Sequence, residues 1–127
     1  RLLRRLCKEC VLPHELTTEE MERVEKIAQE IPANSGETFN IAVSKFVKAN
    51  PEGCPKCTGG YKGRVGIYEV LVVNPTVEEF VRTGSVSDTD MRKIAAEQGM
   101  VTMVQDGILK AADGLTSLEE VFRVAAT

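Results

Sequence analysis

The chain has 127 residues and a mass of 13.9 kDa, with 43% hydrophobic and 28% charged residues, which excludes a disordered polypeptide. A net charge of −3 and a pI near 5.3 argue against a general nucleic-acid binder. No apolar run approaches the roughly 20 residues that a membrane span needs.

One domain of this size buries about two-thirds of the surface its unfolded chain exposes. There is no Trp and there are only two Tyr and four Phe, so the core must come mainly from Val, Ile, Leu, Met and Ala. No signal-peptide pattern is visible, because the basic start runs straight into a cysteine pair. The chain opens on Arg1 rather than Met, which suggests a piece of a longer protein.

Residues 1–6 read as the tail of a helix with Leu2, Leu3 and Leu6 on one side. Arg1, Arg4 and Arg5 then form a solvated face, or a contact to an acidic partner or a phosphate. Cys7-x-x-Cys10 follows, flanked by Val11-Leu12-Pro13. His14 completes a Cys10-x-x-x-His14 pattern, but with four thiols in the chain it reads as a surface residue.

Thr17 as N-cap and Glu20 three residues on make a capping box. Met21, Val24, Ile27, Ala28 and Ile31 recur at helical spacing behind it, and Pro32 stops the helix. Residues 33–36 read as a loop. Beyond it, Phe39, Ile41 and Val43 alternate like a strand, while Phe39, Val43, Phe46 and Val47 fit one helix face. A strand over residues 45–49 is the expectation.

Cys54-Pro55-Lys56-Cys57-Thr58-Gly59-Gly60 reads as a metal-binding knuckle. A C-x-x-C pair sets two thiolates on one tight turn, and two such pairs supply the four ligands of a closed, structural zinc site. The candidate ligands are therefore Cys7, Cys10, Cys54 and Cys57. The glycines after Cys57 permit turns that aim backbone N–H groups at sulfur. Four thiolates on Zn²⁺ carry about −2, which Arg4, Arg5, Lys8, Lys56 and Lys62 are placed to balance. Two disulfides need an oxidising compartment, for which the sequence gives no sign. A redox pair normally opens a helix in a βαβ unit, and none is visible. Iron also occupies Cys₄ sites, with zinc the default. The pairs are separated by residues 11–53, longer than in simple zinc ribbons, so an insertion must loop out between them.

Residues 61–73 carry the β-branched and aromatic enrichment of a strand or hairpin. Gly60, Gly63 and Gly66 do not sit between a strand and a helix, so they do not form a phosphate loop. From Asn74 the period turns helical. Helices are expected over 75–83 (Val77, Phe80 and Val81 inward) and 88–98 (capped by Ser87, with Met91, Ile94 and Ala95 inward). Two more follow over 102–113 (Met103, Val104, Ile108 and Ala111 inward) and after a cap at Thr116 or Ser117, with Leu118, Val121, Phe122 and Val124. Gly99 and Gly114 end the second and third. The expected class is α+β. A Cys₄ zinc unit with a helical insert and a small hairpin or sheet occupies 1–73, and a helical subdomain occupies 74–127, forming one compact domain overall. No G-x-x-x-x-G-K-[ST] loop and no complete catalytic set is present, so this chain alone holds no active site.

The order of motifs resembles the C-terminal region of the ATPases of type II secretion and type IV pilus assembly. The matching residues are Arg1 to Cys7 and Cys10; Gly53 to Cys57, Gly59, Tyr61 and Gly63 to Leu71; Gly99-Met100; and Asp106-Gly107, Lys110, Gly114 and Thr116 to Val124. The likeness is weakest over residues 15–50. It implies a longer parent with a RecA-like core that binds ATP and Mg²⁺, assembled as a hexamer from neighbouring subunits. It also implies a cytoplasmic site at the bacterial inner membrane and an inner-membrane platform protein as partner, with no nucleic acid. Only the metal role carries over to positions of this chain. A stand-alone zinc ribbon that binds nucleic acid or protein is the alternative, and a thiol redox enzyme a third.

Overall fold

A computed structural model describes residues 1–40, 44–84 and 87–125. Strand β1 (Leu2–Leu6) pairs antiparallel with β4 (Tyr61–Gly66), and β2 (Leu12–Pro13) with β3 (Val47–Lys48). Five helices complete the α+β fold: α1 (Thr18–Gln29), α2 (Pro75–Arg82), α3 (Asp88–Glu97), α4 (Met103–Ala112) and α5 (Leu118–Val124).

Residues 1–6 are a strand, not the tail of a helix. Leu3 and Leu6 are buried while Leu2 is exposed. A strand alternates faces, so residues three apart should point to opposite sides. The register of β1 on β4 is irregular between Arg4 and Leu6, and this slip turns both leucines inward. A buried pair three residues apart then imitates helical spacing.

The strand expected over 45–49 shrinks to Val47–Lys48 and finds its partner in Leu12–Pro13. Of the expected 61–73 strand, only Tyr61–Gly66 is one, and it pairs with β1 rather than within a hairpin of its own. Tyr68, Val70, Val72 and Val73 are exposed. Here the backbone of Val72 is held by the side chain of Gln98, which accepts from its N–H at 2.8 Å and donates to its carbonyl at 3.0 Å. Ile41 and Val43, part of the alternation read beyond the first loop, lie outside the described residues.

The helix starts follow the sequence closely. Thr17 and Glu20 form the expected capping box, with Glu20 N–H donating to Thr17 Oγ1 at 3.2 Å and Thr17 N–H donating to Glu20 Oε1 at 3.1 Å. Thr102 and Gln105 form a second at the head of α4, and Ser87 and Ser117 cap α3 and α5. Each such cap is worth about 1 kcal/mol. Helix α1 ends at Gln29, ahead of Pro32, and residues 33–35 form one 3₁₀ turn. Two expected inward residues face solvent instead, Met21 on α1 and Val81 on α2.

One core joins both halves of the chain. It contains Leu3 from β1, Val24 from α1, Phe46 before β3, Ile67 after β4, Ile108 and Ala111 from α4, and Leu118 and Val121 from α5. Fully burying a side chain of this kind contributes about 1.5–3 kcal/mol. Gly107 lets α4 approach α5, because a Cβ there would lie 2.8 Å from Val121 Cγ1. Val77 of α2 and Ala95 of α3 are buried outside this cluster.

Candidate metal centre

Cys7 follows directly on β1, and Cys54 and Cys57 lie in the turn that leads into β4. The β1–β4 pairing therefore brings the two C-x-x-C turns together. Cys7 N–H donates to the Gly60 carbonyl at 2.9 Å, and Thr58 and Tyr61 bridge across the turn before β4. Gly60 is the position that permits this. Its φ is +86°, and a Cβ would meet the Asn50 backbone N at 2.6 Å and the Ala49 Cβ at 2.8 Å. No L-residue with a side chain fits there.

The four sulfurs of Cys7, Cys10, Cys54 and Cys57 all lie within 4.8 Å of one another. Cys7 and Cys54 are 3.7 Å apart, Cys10 and Cys57 3.6 Å, and Cys54 and Cys57 3.5 Å. A disulfide needs about 2.0 Å, and all four cysteines are free. A tetrahedral zinc with metal–sulfur bonds of about 2.3 Å places its sulfurs about 3.8 Å apart. The cluster therefore has the donor type, number and spacing of a closed Cys₄ site.

The thiols differ in acidity. Burial, then contact with the sulfurs of Cys57, Cys54 and Cys7, pushes Cys10 up to about 12. For Cys54 the backbone N–H of Lys56 pulls downward, yet burial and the neighbouring thiols of Cys57 and Cys7 leave it raised. Burial pushes Cys57 upward too, but hydrogen bonds from Cys54, Cys10 and the backbone of Gly60 bring it down to about 7. The Gly60 backbone thus does what the sequence predicts of glycines after a knuckle. Four crowded sulfurs cannot all ionise without a cation, and one divalent ion held by all four as thiolates would resolve that conflict.

His14 takes no place in the cluster. Its backbone N–H donates to the Phe46 carbonyl at 3.2 Å, and its Nε2 lies 3.1 Å from Glu20 Oε2. With its side chain only 18% exposed, it is not the surface residue that the sequence suggests.

A second constellation ties this region to the last helix. Arg4, three residues before Cys7, stacks over the Tyr61 ring at 4.1 Å. Tyr61 Oη and Ser117 Oγ share a hydrogen bond of 2.7 Å, and Thr116 Oγ1 donates to the Arg4 carbonyl at 2.9 Å. Arg4 and Arg123 converge on the buried carboxylate of Glu120. Sequence reasoning gave Arg4 a solvated face, an acidic partner or phosphate, or the balancing of the metal's charge, and missed this network. The available signal was Glu120 three residues ahead of Arg123 in a capped helix; nothing in the sequence links either to Arg4.

A family model described as type II/IV secretion system protein matches residues 1–123. The chain belongs to this family. It is 36% identical over 124 residues to the type IV pilus assembly ATPase PilB of Pseudomonas aeruginosa, which covers 98% of this chain and 20% of that protein. It is 35% identical over 122 residues to the PilB of Thermus thermophilus, covering 95% of this chain and 12% of that protein. The type II secretion system ATPase E of Vibrio cholerae is 31% identical over 125 residues, covering 98% of this chain and 22% of that protein. The chain thus spans about a fifth of the length of the Pseudomonas and Vibrio relatives.

Among the described residues no helix is long and apolar enough to cross a membrane.

Proposed function

We propose that this chain is the metal-binding C-terminal domain of a motor ATPase that powers type IV pilus assembly or type II protein secretion. Its task is structural and mechanical. Cys7, Cys10, Cys54 and Cys57 hold Zn²⁺, and the bound ion supplies folding energy rather than chemistry. Residues 1–73 form the metal unit and 74–127 the helical subdomain, and the two act as one body. ATP and Mg²⁺ bind in the parent's core, in a cytoplasmic hexamer at the inner membrane whose partner is the platform protein of the machine.

The observation that carries this reading is the continuity between the sulfurs and the last helix. Cys7 and Cys57 lie within four residues of Arg4 and Tyr61, and those two side chains grip Ser117 and Glu120 at the head of α5. Fixing the knuckles fixes the strand pair β1–β4, and with it the angle of α5. The family membership and the names of the relatives support the motor. The exposed run Tyr68, Val70, Val72 and Val73 offers apolar surface for attachment to the rest of such a protein.

The test is metal content of the purified chain by elemental analysis, followed by chelation under circular dichroism. One zinc per chain, with folded signal lost on chelation and in Cys54→Ser, is the expected result. A Cys54→Ser chain that keeps its full stability and full zinc sinks the reading.

A further inference from the structure

At Cys7, one of the four clustered cysteines, lies an open depression of about 530 Å³ lined also by Arg5, Lys8, Lys56, Lys62 and Arg64, with Glu9 as the one carboxylate. Arg5 comes from β1, and Lys62 and Arg64 from β4, on either side of Gly63. Lys8 and Lys56 stand between the cysteines of the two knuckles. None of these five side chains makes an ion pair or hydrogen bond among the described residues. Arg4, by contrast, is paired with Glu120. A metal with four thiolates, at about −2, together with Glu9, offsets only part of five positive charges. The groove stays positive with the centre loaded, in a chain whose net charge is −3.

We infer that this groove docks an acidic polypeptide segment of the machine in which the chain works. Unpaired cations converging on one concavity specify an anion. The depression admits charged side chains that project from a polypeptide and meets them with cations from both strands and both knuckles. The lining has no aromatic side chain on which a nucleic-acid base would stack. Carboxylates spaced along an extended segment reach Arg5, Lys62 and Arg64 on the strands, and then Lys8 and Lys56. The two arginines supply paired donors to a carboxylate, and the lysines supply point charges. Such a contact raises association rates and is salt-sensitive.

The inference rests on the proposed reading in one respect, since the metal holds Lys8 and Lys56 beside the strands. The test is titration of the metal-loaded chain with a short peptide of mixed Asp and Glu, by calorimetry, at low and high salt. Binding at low salt that disappears at high salt is expected. The double variant Lys62→Glu, Arg64→Glu should weaken it at least about tenfold, and Lys62→Ala, Arg64→Ala should weaken it less, with thermal melts of both close to that of the parent. Lys26→Glu, Lys93→Glu changes the net charge by the same amount away from the groove and should cost less than about threefold. No salt-sensitive binding, or an equal loss in the control pair, overturns the proposal. So does tighter uptake of phosphatidylglycerol vesicles or of oligouridylate than of the peptide. Metal content measured on the same samples separates the two readings. Full metal without peptide binding overturns the groove alone. Peptide binding through Lys62 and Arg64 in a chain that takes up no metal supports the groove and overturns only the metal centre.

Discussion

Arg4 and Glu120 lie 116 residues apart in sequence and are joined by three hydrogen bonds. The Arg4 backbone N–H donates to Oε1 at 3.0 Å, and its guanidinium Nε and Nη2 donate to Oε2 at 3.2 and 3.0 Å. Arg123 completes the cage through Nε at 3.1 Å and Nη2 at 2.6 Å. The carboxylate is fully buried, while both guanidinium groups keep about half of their side-chain surface in water. The anion is therefore the member that depends on the arrangement.

Glu120→Gln should accordingly destabilise the chain by about 2–4 kcal/mol, because it keeps the shape, removes the charge and turns an amide N–H toward guanidinium donors. Arg123→Ala should cost less than half of that, since a half-exposed partner gains back its hydration. Urea unfolding of both variants checks the order. A Glu120→Gln variant within about 0.5 kcal/mol of the parent would show that the cage is ornamental.

The same carboxylate sets a pH dependence. Burial alone pushes Glu120 upward; the hydrogen bonds from Arg123 and Arg4 outweigh it and hold the group at about 2, against an ordinary 4.5. Between those values the unfolded chain binds the proton and the folded chain does not. The contribution is therefore complete above about pH 5 and is lost as pH falls toward 2, with a full span of up to roughly 3 kcal/mol. Unfolding midpoints measured from about pH 6 down to about pH 3 should fall more steeply in the parent than in Glu120→Gln. Parallel curves would remove Glu120 from the acid response.

Much of this architecture is legible in the sequence because it is written locally. Thr17 and Glu20 announce a helix start within four residues, and Cys7, Cys10, Cys54 and Cys57 announce themselves by spacing and residue type. What the sequence hides is long-range. The slip between Arg4 and Leu6 is set by pairing with β4, so Leu3 and Leu6 look helical from sequence alone. Val70, Val72 and Val73 have strand propensity, but a strand also needs a neighbouring strand, and among the described residues none pairs with that stretch, where Val72 meets the Gln98 side chain and the Asn74 N–H. The pairing of Arg4 with Glu120 depends on the whole core being in place.

Gly60 links the knuckle to the strand, so Gly60→Ala tests whether backbone geometry or sulfur chemistry limits the metal site. The methyl group would need a positive φ and would collide with the Asn50 backbone and the Ala49 side chain. A loss of about 2–3 kcal/mol is expected, together with weaker metal retention, although no ligand is touched. Thermal melts with and without chelator, beside a competitive chelator titration, read both quantities. Gly59→Ala is the control, as its Cβ would meet nothing within 4 Å. It still carries a positive φ of 59°, so it should cost only the backbone term of about 1 kcal/mol and leave the metal in place. If both variants lose metal equally, collision at Gly60 is not what fixes the turn.

The contact between α4 and α5 can be tested in the same spirit, but with a rescue. Gly107 lies within α4, where glycine costs about 1 kcal/mol relative to alanine on propensity alone. Gly107→Ala would therefore stabilise an isolated helix. Here the new methyl would lie 2.8 Å from Cγ1 and 3.2 Å from Cγ2 of Val121, which is fully buried. Overpacking of this kind costs about 1–3 kcal/mol, so the net effect should be a loss despite the propensity gain. Val121→Ala alone opens a cavity and should also destabilise, by about 2–3 kcal/mol. The two together fill the space that each spoils, so the double variant should be more stable than the sum of the single losses by at least about 1 kcal/mol. Simple additivity would mean that the helices shift apart to admit the methyl, and that their close approach does not fix the position of α5 over Arg4.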